Sequence, residues 1–502
     1  MESNYNTWKS IEQLVADGVM PPADADLPSE EEKVAFAEWF QSELERVVAK
    51  PGPVRVRRLA NHEYRNTVRS VFGFDLEVNV QEAEQTITEK SLILKLLPTD
   101  PPGKSGFTND THVNPLSSNA WDQYMYLSDA VTRELFQPHR SEALTELVGK
   151  AVTAESLTAA DAKPLLHTFL VRTRRRDIPI EQVARIAARF DDLESDELID
   201  AIRLEMQTEL LSPRFLFRGT LHRQPSGATS DPDEVPSFQV DDFELAERLS
   251  YFLWADMPDA ELMSLARTGK LRKQLDSQIT RMLRSPKSRS LANDFGVQWL
   301  GLDEINLQVS NNPPQLDALR SQPLDFLQYL FTERRPLLEL LSSDVTFVNP
   351  HTARYYGGRL SRQLPKYRKQ KGIEIEIVSN SRVTLEPQFQ RGGILTMPGV
   401  LAMNRSPILR GTWLLEKIMG HELPEPPPDV PAIEPADPSA KELTFRQRFE
   451  RHRAQATCAV CHDKIDPLGF AFENFDSKGK LRLGTDKSGA SLTAGLPDTS
   501  GR

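Results

Sequence analysis

The stretch Asp241-Asp242-Phe243-Glu244-Leu245-Ala246-Glu247-Arg248-Leu249-Ser250-Tyr251-Phe252-Leu253-Trp254 sets the fold class of this chain. Two acidic residues precede an apolar periodicity in which Leu245, Leu249, Phe252 and Leu253 recur at helical spacing, so an amphipathic helix with that stripe turned inward is expected. The periodicity continues downstream through 274–283, 288–300 and 316–341, the last broken or kinked at Pro336, whose ring cannot continue a helix. This block reads as an all-α core.

Upstream, 165–211 reads as three helices, with Arg172, Arg174, Arg175 and Arg176 between the first two. Such a cluster can hold a phosphate or a carboxylate-bearing cofactor, although a charged face with acidic neighbours is its ordinary use. Residues 76–119 look irregular, with turn signals at Pro101-Pro102-Gly103 and Asn109-Asp110, and helix resumes over 120–136. Asn61 is placed to cap a helix whose Tyr64, Val68, Val71 and Phe72 share a face and which stops at Gly73. Ser29 and Glu32 form an S-x-x-E capping box ahead of a helix over 30–48, followed by a Pro51-Gly52-Pro53 linker.

Downstream, Ile373-Glu374-Ile375-Glu376-Ile377 alternates strictly and Arg382-Val383-Thr384-Leu385 follows a short polar turn, which predicts a β-hairpin. Helix returns over 409–419, and 424–438 is so dense in proline that it must be an extended strap. A helix over 442–456 then delivers the chain to Cys458-Ala459-Val460-Cys461-His462.

Both cysteines of the protein fall in that pentapeptide, and C-x-x-C-H is the attachment signature of a c-type haem. Two thiols three positions apart on one turn can each add to a porphyrin vinyl group, and the adjacent imidazole reaches the iron as proximal ligand. The alternatives are a redox or structural dithiol, or half of a zinc site completed by a partner. No second Cys pair and no H-x3-5-H is present to complete such a site within the chain. A sixth iron ligand, if one exists, must come from upstream or from another chain, and Met397, Met403 and His452 are the nearest candidates, with Met397 the foremost. Phe470, Phe472 and Phe475 can cover a porphyrin face or simply pack. Asp466-Pro467 is expected to make the turn after the pentapeptide, with a carbonyl there accepting the His462 proton.

With 502 residues the chain is long enough for three or four domains, and its two cysteines leave folding independent of a disulfide framework. The net charge of −11 and the lack of a long basic tract argue against nucleic acid or an anionic membrane surface as partner. No apolar window approaches a membrane span, and the N-terminus has neither the basic nor the apolar region of a secretion signal. No nucleophile elbow, P-loop, H-E-x-x-H or G-x-G-x-x-G accompanies the pentapeptide, so hydrolase, NTPase and dehydrogenase readings lack support.

Several runs together resemble a known family. Arg57-Arg58-Leu59-Ala60-Asn61-His62-Glu63-Tyr64-Arg65-Asn66 is similar to the opening of one module and Leu210-Leu211-Ser212-Pro213-Arg214-Phe215-Leu216-Phe217-Arg218 to the close of a second. Glu247 to Trp254 with Gln298-Trp299-Leu300 is similar to a third. Arg391-Gly392-Gly393-Ile394-Leu395, Ser406-Pro407-Ile408-Leu409-Arg410-Gly411, the proline strap and the run from Ile465 to Asp476 are similar to a fourth, which contains the pentapeptide. The chain therefore resembles the planctomycete-type cytochrome-like multi-domain proteins, assembled from domains of unknown function.

The resemblance implies a mainly α, multi-domain helical array with one small β-hairpin and a proline-rich strap before a C-terminal haem-binding segment. It divides the chain into 1–49, a cytochrome c-like remnant, 54–137, 150–222, 236–358, 373–484 with the haem segment, and a truncated tail at 485–502. Gly18-Val19-Met20-Pro21-Pro22 matches the run that carries the distal methionine of the family's N-terminal cytochrome domain, yet no attachment site precedes it. A fragment or shortened product lacking both ends is thus expected, with Met20 serving in packing. The implied function is a c-type haem protein of the periplasm or cell envelope holding covalent haem through Cys458, Cys461 and His462, with a redox partner protein. A helical scaffold or binding module, for surface polysaccharide or a partner enzyme, is the alternative.

Overall fold

The computed structural model describes residues 5–16, 18, 20–21, 25–48, 56–82, 85–89, 91–103, 105–110, 116–219, 239–356, 360, 364, 379–386, 391–421, 423, 453 and 456–482. The protein is mainly helical, and the described residues add three two-stranded antiparallel sheets. The proline strap, His452 and the 373–377 alternation lie outside the described residues.

Helices form where the apolar spacing predicts them. Ser29 and Glu32 close their capping box, with Ser29 N–H donating to the Glu32 carboxylate at 2.8 Å, and the helix Glu30–Val48 follows. The helix Asn61–Phe72 buries Tyr64, Val68, Val71 and Phe72 and ends at Gly73, whose φ of 81° is the left-handed conformation that suits glycine. Its start differs from the sequence expectation: Asn61 is the first helical residue and its side-chain amide donates to the Pro98 carbonyl at 2.8 Å. The Glu63 carboxylate reaches back to the Ala60 N–H at 2.9 Å instead.

One hydrophobic cluster runs from Leu59 to Leu216 and takes in Tyr251 and Met257, so the segments 54–137 and 150–222 share a core. A second cluster surrounds the helix Pro313–Thr332, and a third, smaller one gathers Ala246, Leu253, Trp254, Leu262 and Met282. The helix Asp242–Trp254 serves the first and third clusters with Tyr251, Ala246, Leu253 and Trp254. Phe252 is thereby turned out, at 69% exposure, against the expectation of an inward stripe. Helical spacing identifies a stripe but not which of two apolar faces meets a neighbour.

The β structure includes two pairings that were not expected. Ser381–Thr384 pairs antiparallel with Val345–Val348, in a register that sets Val345 opposite Thr384. A hairpin of Val78–Glu82 and Gln85–Glu89 occupies part of the segment read as irregular. The helix expected over 316–341 ends at Thr332, ahead of Pro336, and only the short turn Glu339–Ser342 follows.

The arginine cluster is structural. Arg172 meets Glu146, Arg174 forms a two-pronged pair with Glu209 at 2.9 and 2.8 Å, and Arg176 meets Asp241. Arg175 is buried and donates to the carbonyls of Arg214, Phe215 and Phe217.

Arg57–Arg58 pairs with Phe217–Arg218 and ties the two ends of the first core together. Behind this pair Glu63 accepts two hydrogen bonds of 2.6 Å from Arg57, with Arg218 at 3.4 Å. Burial alone would raise the Glu63 carboxyl, yet Arg57 and then Arg218 hold it down, to about 2 from an ordinary 4.5. A lowered folded-state value stabilises the fold fully above the unfolded value and less as the pH falls through the interval between them. Glu63→Gln is therefore expected to cost roughly 3 kcal/mol at neutral pH and to flatten the acid dependence between pH 4.5 and about 2. Urea unfolding of both proteins across that range checks this; parallel stability curves would rule the pairing out as an acid-sensitive tie.

Candidate functional site

The helix Ala456–Phe470 carries Cys458, Cys461 and His462. Spacings of three and four residues put these side chains on one helical face. All three are half-buried, and neither cysteine is in a disulfide. Burial pushes the Cys461 thiol up, Lys464 draws it down, and the nearby Cys458 adds to the upward shift.

The helix runs through Asp466 and Pro467 instead of turning there, which corrects the expectation for that pair. Because the chain stays helical, the residue one turn after His462 stands beneath it, and His462 Nδ1 lies 2.8 Å from Asp466 Oδ1. The group meeting the imidazole is a fully buried carboxylate, where a backbone carbonyl was expected. Arg453 approaches its other oxygen at 3.5 Å. An ionised carboxylate at Nδ1 fixes the proton on that nitrogen and leaves Nε2 as the basic one.

The rear of this helix is docked on Pro407–Trp413 through two glycines at the crossing, Gly411 and Gly469. Arg410, 3% exposed, donates from the partner helix to the carbonyls of Leu401, Asn404, Phe472, Phe475 and Asp476. Burial lowers its guanidinium to about 10, with Asp476 pulling the other way, so it stays charged at neutral pH. Arg391 adds a bond of 2.7 Å to the Gly479 carbonyl and lies over the Phe475 ring. Phe470 and Phe475 are buried in this packing and Phe472 is half-buried.

The structure brings Cys458, Cys461, His462 and Asp466 together. Met397, 1% exposed, is instead embedded in the second hydrophobic cluster with Ile394, Val400 and Trp413, and Met403 packs against the same cluster. Met20, expected in packing, is 41% exposed in the turn after the helix Tyr5–Ala16, which has few neighbours to offer it. Among the described residues no group of three or more His, Cys, Asp or Glu side chains converges to hold a metal ion, and no helix is long and apolar enough to cross a membrane.

A second concave site was not singled out from the sequence. A cavity of about 590 Å³ is lined by His62, Glu63, Leu245, Leu249, Phe252 and Asp294, among others. The stripe expected to face a core thus forms part of its wall. Asp294 stands 3.7 Å from His62 Nε2 on a turn of π-helix, Leu291–Phe295. Burial raises its carboxyl, against the pull of His62. Such single π turns frequently occur at functional sites, but nothing in a one-dimensional pattern distinguishes them from ordinary helix.

Three family models match, in chain order: PSD3, a protein of unknown function (DUF1587), over residues 57–137; PSD4, a protein of unknown function (DUF1592), over 240–357; and PSCyt3, a protein of unknown function (DUF1588), over 391–485. The last contains the Cys458-to-His462 helix and the docking segment behind it. No curated protein and no solved structure matches the chain. The three modules cover over half of the 502 residues, and the chain belongs to the planctomycete cytochrome-like multi-domain proteins built from these domains of unknown function.

Proposed function

We propose that this chain is a c-type haem protein of the bacterial cell envelope that transfers electrons, either directly to a partner protein or as the haem-bearing part of a larger oxidoreductase. The observation that carries the reading is the shared helical face of Cys458, Cys461 and His462 with a buried carboxylate at His462 Nδ1. This donor set fits haem: two thiols able to form thioethers, and an imidazole whose tautomer presents Nε2. When bound, the haem supplies a one-electron couple. Cys458 and Cys461 would anchor it, and His462 would ligate the iron together with Met397 once the second cluster releases that side chain. Location in the envelope follows from where thioether attachment takes place.

Co-expression with a c-haem maturation system and an added export signal should give a band that stains for haem after denaturation. Cys458→Ala with Cys461→Ala should abolish the stain. An unstained wild-type band whose two thiols still alkylate would end the haem reading. In that event the cavity beside His62 and Asp294 favours the second reading, a helical binding module, and ligand-induced protection of that cavity in hydrogen exchange would be its sign.

A further inference from the structure

We infer that Asp466 is the positioning residue that lowers the potential of the centre at His462 below what a neutral partner at the same nitrogen would give. The inference rests on the haem reading above and concerns only how this chain's own residues act on the proximal imidazole.

Three observations carry it. Asp466 is fully buried, so its charge is poorly screened by water, and it sits 2.8 Å from the imidazole nitrogen opposite the ligating one. Its second oxygen is buried, makes no hydrogen bond among the described residues and is ion-paired with Arg453 at 3.5 Å. Among the described residues His462 is thus the hydrogen-bond donor to this carboxylate. Finally, the helix cannot rotate to release the pair, because Ile465 is buried beside Asp466 and Gly469 abuts the carbonyl of Pro407.

A ligating histidine bonded to a carboxylate is more basic than one bonded to a neutral carbonyl. Greater basicity favours the ferric over the ferrous state, which lowers the potential; second-shell hydrogen bonding is one of the protein's means of setting it.

The experiment uses the full chain, exported and matured with covalent haem, and reads the potential by spectroelectrochemistry. Asp466→Asn keeps the shape and removes the charge. It should raise the ferrous-to-ferric ratio at a fixed applied potential about tenfold or more, which is ~59 mV for a one-electron couple. Asp466→Glu should stay closer to wild type, and Glu416→Gln, an exposed acid outside this helix, should leave the potential in place. An Asp466→Asn protein with full haem and an unchanged potential overturns the inference while leaving the haem reading intact. Absence of stainable haem in wild type defeats the haem reading first. Should Asp466→Asn fail to accumulate holoprotein, Asp466→Ser, which also removes the charge, is read in its place: a raised potential supports the inference and an unchanged one overturns it.

Discussion

Arg410→Met is expected to destabilise the C-terminal module by roughly 4–5 kcal/mol, near the upper limit for a single substitution. The methionine fills much of the same volume but leaves the carbonyls of Leu401, Asn404 and Phe475 without their side-chain donor, while those of Phe472 and Asp476 keep the N–H groups of Phe475 and Gly479 at 3.0 Å. Each buried acceptor deprived of its partner costs about 1–3 kcal/mol, so even partial rehydration leaves a large deficit. The damage should be local first. Amide exchange over 471–482 should accelerate before the Leu59 to Leu216 core responds, because none of the residues forming that core comes from this segment. A variant within about 1 kcal/mol of wild type would mean that the three carbonyls are satisfied in some other way.

Gly469→Ala is expected to cost about 3 kcal/mol or more, through a clash that no side chain can relieve. An added Cβ would stand 2.2 Å from the Pro407 carbonyl oxygen, and one at Gly411 would stand 2.3 Å from that of Ile465. Both obstacles are backbone, so the helices must move apart and lose close packing along the crossing. The two substitutions demand the same separation. The double variant Gly411→Ala, Gly469→Ala should therefore cost clearly less than the two single effects added together. Additive losses in urea unfolding would show that the glycines act separately.

The parts of this structure visible in the sequence are those fixed by short-range rules. The capping box at Ser29 and the stop at Gly73 depend on residues within a few positions, and both were legible. Choices between distant partners were not. Ser381–Thr384 reads as half of a local hairpin, and its partner Val345–Val348 lies across a long connection that no local pattern encodes. The Val78–Gln81 alternation was legible in principle, masked by the proline and asparagine turns around it. At the candidate site the thiol and imidazole positions were plain from spacing. Asp466 was obscured by Pro467, which suggests a turn, although a proline whose missing N–H is tolerated lets the helix continue and sets Asp466 one turn below His462.

The buried arginines hold main chain, and that has a consequence for how this protein can change. Arg410 and Arg391 grip the 472–479 stretch by its carbonyl oxygens, and Arg175 does the same for 214–217. A carbonyl is common to every amino acid, so the grip itself dictates no side chain, and the gripped positions outside the buried Phe215, Leu216 and Phe475 can be exchanged while it persists. Drift in those stretches should be wide, interrupted only where shape intervenes, as at Gly479, whose φ of 75° and approach to Pro398 admit no side chain. The immutable letters are the arginines doing the holding, far along the chain from the turns whose path they dictate.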